Sequence, residues 1–156
     1  MIQQLENGFS IRPISLNDFE EVKDTLSALT VVGEISPEIY ASLLKYWDTL
    51  YLDDNKTKVY NVHVIVDSSG TICAVGTIFL EKKIIHCGGI VGHIEDISVN
   101  KKCQGMKLGK LLIEHLTNVG RKAGCYKIIL DCDVKNTGFY EKCGYSNAGV
   151  EMQIRF

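Results

Sequence analysis

The segment from residue 90 to residue 130 constrains the fold of this 156-residue chain more than any other part. A strand predicted at 90–99 precedes Gln104-Gly105-Met106-Lys107-Leu108-Gly109, and residues 109–124 carry leucines at helical spacing. The short apolar run Ile128-Ile129-Leu130 follows, which is typical of a strand buried on both faces. Strand, helix and strand in this order form a βαβ crossover, so the sequence predicts two neighbouring parallel strands.

The periodicity elsewhere predicts antiparallel strands and further helices. A first strand is predicted at 9–13, and helices at 16–29 and after Ser36-Pro37-Glu38. Alternating apolar residues at 60–66 and 72–80 flank the turn Asp67-Ser68-Ser69-Gly70 and predict a hairpin. A helix over 137–142 and a last strand over 150–155 complete the chain. The order indicates one α/β domain over 1–156, with a mixed, mostly antiparallel sheet and helices on both faces.

Composition and charge exclude several classes of protein. The formal net charge of −2 argues against a general nucleic-acid binder. No apolar run approaches the roughly 18 residues that a membrane helix needs. The first residues lack the basic-then-apolar order of a secretory signal, so a cytoplasmic protein is expected, with no nucleic-acid or membrane partner. The six cysteines are accordingly expected to be reduced thiols.

The small net charge hides an uneven distribution along the chain. Residues 1–54 carry three basic and ten acidic groups, whereas residues 101–127 carry seven basic groups and one acidic group. The basic segment contains the loop 104–109 before a helix start, where unpaired N–H groups favour anions. This pattern favours an anionic small molecule, and a solvent-exposed turn is the alternative. The spacing matches neither a Walker A loop nor GxGxxG.

Longer motifs around this loop resemble the GNAT superfamily of acetyl-CoA-dependent N-acetyltransferases. The strand Glu95-Asp96-Ile97-Ser98-Val99 leads into the loop, and Asn136-Thr137-Gly138-Phe139-Tyr140 follows the crossover as in that superfamily. Lys107 stands where the superfamily pattern has glycine. Within the superfamily, residues 79–156 are most similar to the glucosamine-6-phosphate N-acetyltransferases, especially the fungal enzymes, and the likeness covers essentially the whole chain.

The resemblance implies acetyl transfer from acetyl-CoA to the 2-amino group of D-glucosamine 6-phosphate. The amine attacks directly within a ternary complex, so no cysteine needs a catalytic role. The product would be N-acetyl-D-glucosamine 6-phosphate, on the route to UDP-N-acetylglucosamine. The alternatives are a GNAT enzyme for another amine, such as a polyamine or a protein, and a non-catalytic acetyl-CoA-binding module.

The resemblance implies catalytic roles for three side chains. Tyr140 would protonate or stabilise the leaving thiolate. Glu95 and Asp131 would orient the amine or take its proton through water, and the sequence leaves open which of them is the base. Adjacent strand residues point to opposite faces, so Glu95 and Asp96 are not expected to act as a pair on one side.

Acetyl-CoA would be held mainly by backbone groups. The strand 97–99 would pair with the pantetheine arm and supply an N–H donor to the developing oxyanion. The predicted cofactor residues are Ile97, Ser98, Val99, Gln104, Gly105, Met106, Lys107, Leu108, Gly109, Lys110, Asn136, Phe139, Tyr140 and Lys142.

The sugar phosphate would be bound by cations and polar groups on several elements. Arg155 is implied to reach the site of a partner subunit, which predicts a homodimer with a shared substrate site. His63, His93 and His115 are assigned no metal, and no metal cofactor is expected because the cysteine and histidine spacings do not match a zinc site. The predicted substrate residues are Thr30, Lys83, His86, Glu95, Asp96, Tyr126, Lys127, Asp131 and Arg155.

Overall fold

A six-stranded mixed sheet forms the centre of the molecule, as a computed structural model that describes residues 2–5 and 8–156 reveals. The strands lie side by side in chain order, and every neighbouring pair is antiparallel except the last two, which are parallel. This confirms the predicted crossover. The strands are β1 (Gln3–Gln4), β2 (Ser10–Pro13), β3 (Tyr60–Val66), β4 (Ile72–Lys82), β5 (Ile90–Val99) and β6 (Cys125–Ile129).

The helices follow the capping signals in the sequence. The side chain of Ser36 accepts a hydrogen bond from the Ile39 N–H at 3.3 Å, and Pro37 occupies the first helical position. The helix of the crossover ends before Gly124, whose φ is +81°. The helices are α1 (Phe19–Leu26), α2 (Pro37–Trp47), the single turn α3 (Ile85–Gly88), α4 (Leu108–Lys122) and α5 (Thr137–Lys142).

Each face of the sheet carries its own apolar core, which confirms the prediction of helices on both faces. On one face α4 buries Leu112 and Leu116 against Ile78 of β4. On the other face α1 and α2 cover the alternating valines of β3 and the start of β4. The alternating residues that predicted the hairpin therefore face two different helical layers, one on each side of the sheet. Neither face of these strands is a solvent-exposed face.

Two expectations about the carboxyl-terminal part are wrong. The predicted strand at 150–155 is absent, and its apolar side chains are exposed, with Val150 at 87% and Met152 at 89%. The run at 128–130 is not buried on both faces either, since β6 is the edge strand and Ile129 is 39% exposed. Both errors have one cause: the apolar pattern indicates surfaces to be covered, but within the described part of this chain no element covers them.

A bulge interrupts β5 at the residues expected to carry chemistry. Val75 pairs with Ser98 and Thr77 pairs with Glu95, so two residues of β5 oppose Gly76 alone. Asp96 takes a left-handed φ of +53° to make this possible. The regular alternation on which the expected opposite orientation of Glu95 and Asp96 depended is therefore broken at Asp96.

Candidate active site

The bulge and the short β6 together open a gap beside β5. A Cβ atom on Gly76 would lie 2.5 Å from Ile97 Cδ1, so the Ile97 side chain of the bulged strand packs directly over Gly76 of β4. β6 pairs with β5 only over Ile90–His93, and among residues 2–5 and 8–156 no strand pairs with the same side of β5 beyond His93. The carboxyl-terminal half of β5 thus keeps a free edge, which is the kind of edge that an extended ligand can join.

The loop after β5 has the backbone of an anion-binding turn. Gly105 and Lys107 both have left-handed φ angles, +83° and +61°, and Lys107 stands directly before the first residue of α4. No side-chain oxygen caps the start of α4, because Lys107 is the N-cap residue, so the first-turn N–H groups lack a side-chain cap. The left-handed Lys107 explains why the superfamily pattern has glycine there: that conformation is unstrained only for glycine.

The predicted cofactor residues converge from three elements. A Cβ atom on Gly109 would lie 3.4 Å from Phe139 Cζ and 3.6 Å from Val99 Cγ2, so the start of α4, the end of β5 and α5 meet there. Asn136 precedes α5 directly, and Lys142 is its last residue; both are exposed. These groups and the basic loop fit an elongated anionic cofactor such as a coenzyme A derivative, with an apolar arm and a charged end.

Tyr140 lies in a cleft of about 600 Å³ between the end of β6, α5 and the segment 145–151. Asp131 and Cys132 line the same cleft. Burial raises the pKa of the Tyr140 phenol, and the nearby thiols of Cys132 and Cys143 add to the effect. A phenol that keeps its proton at neutral pH is suited to donate it. A smaller cavity of about 160 Å³ beside Trp47 contains none of the predicted site residues.

An acidic group gathers where β5 and β6 separate. The pKa of the Glu95 carboxyl is raised by burial first and then by the negative charges of Asp96 and Asp131, with His93 opposing the shift. A carboxylate that binds its proton more readily than usual is a better proton acceptor than an ordinary glutamate. The arrangement is also able to hold an ammonium ion, because neighbouring carboxylates attract one.

The cations predicted for the sugar phosphate lie at the other end of these two strands. The rings of His86 and Tyr126 are 4.2 Å apart between centroids, and Lys127 Nζ lies 5.9 Å from the Tyr126 ring. Lys83 opens the same loop, since its N–H donates to the Gly89 carbonyl at 2.8 Å. Four of the predicted substrate residues therefore form one neighbourhood.

This neighbourhood is separated from the acidic group within one chain. Lys127 pairs with Val91, and Glu95 follows four residues later on β5, which places the two backbones about 13 Å apart along the strand. Thr30 and Arg155 are exposed, and the Arg155 guanidinium bonds Gln153 at 3.0 Å. In the described part of the chain neither makes an ionic or hydrogen-bond contact with Lys83 or Lys127.

Two polar features of the site escaped the sequence analysis. Glu81 contacts both Lys83 and His93, although His93 carried no predicted role. The Ser98 hydroxyl is buried and donates to the Thr25 carbonyl at 2.6 Å, so this side chain serves the fold while its backbone remains on the edge of β5. Neither contact follows from spacing, because each depends on the register of strands and helices far apart in sequence.

Among the residues described, the cysteines and histidines outside the site are not grouped as metal ligands. All six cysteines are free thiols. His63 and His115 pack on each other at 4.7 Å between ring centroids. No group of three or more metal-ligating side chains was found among the residues described, and no helix there is long and apolar enough to cross a membrane.

Comparison with known proteins supports an acetyl-transfer site. The profile of the acetyltransferase (GNAT) family matches residues 28–145. Glucosamine 6-phosphate N-acetyltransferase of Candida albicans is 48% identical over 153 residues, covering 97% of this chain and 99% of that protein. Glucosamine 6-phosphate N-acetyltransferase 1 of Dictyostelium discoideum is 39% identical, covering 96% of this chain and 92% of that protein.

Solved structures agree with the sequence relatives. The crystal structure of glucosamine-6-phosphate N-acetyltransferase from Arabidopsis thaliana superposes with a TM-score of 0.85 at 35% identity. The alignment covers 95% of this chain and 98% of that one.

Proposed function

Because this chain belongs to the acetyltransferase (GNAT) family, we propose that it acetylates the 2-amino group of D-glucosamine 6-phosphate. Acetyl-CoA supplies the acetyl group as a thioester, and the products are N-acetyl-D-glucosamine 6-phosphate and CoA. The observation that carries this proposal is the 48% identity to the Candida albicans enzyme over 97% of the chain. The whole chain, 1–156, serves as one acetyltransferase domain.

The backbone around the β5 bulge holds the cosubstrate. The free edge at 97–99 pairs with the pantetheine arm and offers N–H groups to charge that develops on the acetyl oxygen. The loop from Gln104 to Lys110 and the uncapped start of α4 hold the pyrophosphate. Phe139 packs at this junction, and Asn136 and Lys142 lie beside it on α5.

Glu95 and Asp131 orient the amine and remove its proton. An amine attacks only as the neutral base, so the ammonium of the free substrate must lose a proton on the enzyme. The raised pKa of Glu95 favours this carboxylate as the acceptor, with Asp131 and Asp96 holding the amine in place. The amine attacks the thioester directly, so the reaction needs no covalent enzyme intermediate and no cysteine nucleophile.

Tyr140 donates a hydrogen bond or proton to the departing sulfur. Its phenol lines the cleft that also contains Asp131, and burial keeps its pKa above the ordinary value. The phenol therefore remains a donor throughout the working pH range. The proton acceptor lies on β5 and the proton donor on α5. The proton taken from the amine is released to solvent, and a proton given to the sulfur by Tyr140 is replaced from solvent, so both groups return to their starting states.

The substrate site is shared between two subunits of a homodimer. Within one chain the cations near Lys127 are about 13 Å along the strand from Glu95, and a small sugar phosphate is not well served by such a separation. The apolar residues of the segment 150–156 are exposed, as is Ile129 on the sheet edge, and a second copy would cover them. In the dimer, Arg155 reaches the partner's site, and Thr30, Lys83, His86, Tyr126 and Lys127 complete phosphate and sugar recognition.

We propose that the enzyme works in the cytoplasm and that its product is used to make UDP-N-acetylglucosamine.

A panel of amines tests the proposed substrate class. The alternatives are an acetyltransferase for a polyamine or a protein, and an acetyl-CoA-binding protein without catalytic activity. Release of free thiol from acetyl-CoA is measured with glucosamine 6-phosphate, spermidine and a lysine peptide. Fast release with the sugar phosphate alone is expected, whereas faster release with spermidine or the peptide, or none with any amine, would overturn the proposal.

A further inference from the structure

Both carboxylate oxygens of Glu81 are engaged, and by residues of different parts of the site. Lys83 Nζ donates to Oε1 at 2.7 Å, and His93 Nε2 lies 2.9 Å from Oε2. These contacts hold the pKa of Glu81 below its ordinary value, Lys83 contributing most, so the carboxyl is ionised. An ionised carboxylate only accepts, so His93 donates from Nε2. Glu81 thereby links the loop 83–89 to the centre of β5.

The sheet side of this link is rigid. The ring of His93 stacks on Phe79 with a centroid distance of 4.3 Å and an interplanar angle of 9°. Phe79 in turn stacks on Tyr60, and Tyr60 on Trp47 of α2, at 5.7 and 5.6 Å. A row of four stacked rings across three strands and a helix fixes the imidazole, and the imidazole fixes the carboxylate of Glu81.

The link holds the ammonium of Lys83 over the sheet beside β5, on the face that also carries Glu95. Glu81 pairs with Val91 and Thr77 pairs with Glu95, so Glu81, His93 and Glu95 all project from the same face of the sheet. Without Glu81, the flexible Lys83 side chain would extend freely from the exposed loop 83–89. An ammonium group has three N–H donors, and one bond to Glu81 leaves two of them for phosphate oxygens.

We propose that Glu81 is a positioning residue for recognition of the substrate phosphate, holding the Lys83 ammonium on the face that carries Glu95. This inference rests on the proposed function, in which Lys83 contacts the phosphate. The negative charge of Glu81 also repels the substrate phosphate. Positioning of Lys83 and this repulsion act on substrate binding in opposite directions. Positioning predicts that loss of the Glu81 charge weakens substrate binding, whereas simple repulsion predicts that it strengthens binding.

Glu81→Gln separates the two effects, because it keeps the shape and removes the charge. We expect the KM for glucosamine 6-phosphate to rise about fivefold, with kcat and the KM for acetyl-CoA changed by less than about twofold. The rate with unphosphorylated glucosamine should not change. Asp48→Asn is the matched control, because Asp48 forms an exposed ion pair with Lys58 and bears on no predicted site residue. A lowered or unchanged KM in the Glu81 variant would overturn the inference.

A double-mutant cycle with Lys83→Met tests whether Glu81 acts through Lys83. We expect Lys83→Met alone to raise the KM for the sugar phosphate, and Glu81→Gln to add no further increase in that background. A full additional increase would show that Glu81 acts independently and would overturn the inference alone. If Lys83→Met leaves the KM unaltered, the phosphate role proposed for Lys83 fails, and the positioning role fails with it.

Discussion

The buried hydroxyl of Ser98 donates a hydrogen bond of 2.6 Å to the carbonyl of Thr25, joining the bulged strand β5 to helix α1 across 73 residues of sequence. Both residues are among the few buried polar ones. The bond ties the free edge of β5 to the helical layer on the far side of the sheet. The strand that would pair with the cosubstrate is therefore held in place by a hydrogen bond to α1.

Removal of this bond should lower stability measurably. Ser98→Ala removes this bond and leaves the Ala28 N–H as a partner of the Thr25 carbonyl, so the loss is about 1 kcal/mol. Urea unfolding checks the value. Ser27→Ala is the matched control, because the Ser27 hydroxyl donates to the Asp24 carbonyl at the same distance of 2.6 Å but in an exposed position. Equal losses in the two variants would contradict the anchoring role of Ser98.

The half-buried pair His63 and His115 should make the fold acid-sensitive. Burial, followed by repulsion from His115, lowers the pKa of His63 to about 4. The unfolded chain binds this proton below the ordinary pKa of 6.5, whereas the folded chain takes it up only near 4, so stability falls as the pH falls between those values. At about pH 5 the loss should be about 2 kcal/mol.

His63→Leu tests this dependence, because the variant places an apolar side chain there and removes the titrating imidazole. Urea unfolding of wild type and variant at about pH 7 and about pH 5 gives the loss of stability for each. The variant should lose about 2 kcal/mol less than wild type over this interval. The control is His86→Gln, which replaces an exposed histidine. This variant should lose as much free energy of unfolding between the two pH values as wild type does. Identical losses in all three proteins would remove His63 as the cause.

Tyr140→Phe should reduce turnover rather than binding. The variant keeps the ring packed against Phe139 and Tyr145 and removes only the donor. We expect kcat to fall about a hundredfold, with both KM values changed by less than about threefold. Tyr145→Phe is the control in the same cleft. This variant loses the hydrogen bond to Thr117, so we expect lower stability but little change in kcat. A normal kcat in Tyr140→Phe would exclude Tyr140 from the mechanism.

Mixed dimers test the shared substrate site. Arg155→Ala and Tyr140→Phe should each impair the homodimer, the first through the KM for the sugar phosphate and the second through kcat. If Arg155 acts in the partner's site, a mixed dimer of the two variants contains one intact site. Assayed at a sugar-phosphate concentration well below the KM, randomly mixed subunits should then recover about a quarter of the wild-type activity. Activity no greater than the mean of the two separate variants would mean that Arg155 and Tyr140 serve the same subunit.

Local patterns predicted the elements well, because each signal lies within the element that it specifies. The helix Thr137–Lys142 has the predicted bounds, and the crossover is parallel as expected. The missing strand at 150–155 and the exposed edge of β6 show the limit of such patterns. Alternating apolar residues indicate that a surface is to be covered, but not whether the same chain covers it.

The contacts inside the site were less predictable, since they depend on register. Glu81 and His93 are twelve residues apart and meet only because β4 and β5 pair Phe79 with His93. The left-handed Asp96 that creates the β5 bulge has no sequence signal of the kind that glycine gives. Family resemblance supplied the candidate residues, and the structure supplied their grouping into an acidic end and a basic end.

The central claim is that this enzyme recognises its amino-sugar substrate by the phosphate group that the sugar carries. The most direct measurement is kcat/KM from thiol release with glucosamine 6-phosphate and with glucosamine, the product being identified as the 2-N-acetyl sugar. We predict a preference of at least about a hundredfold for the phosphorylated sugar, as expected when charged groups bind a phosphate. Equal kcat/KM values for the two sugars would contradict the account.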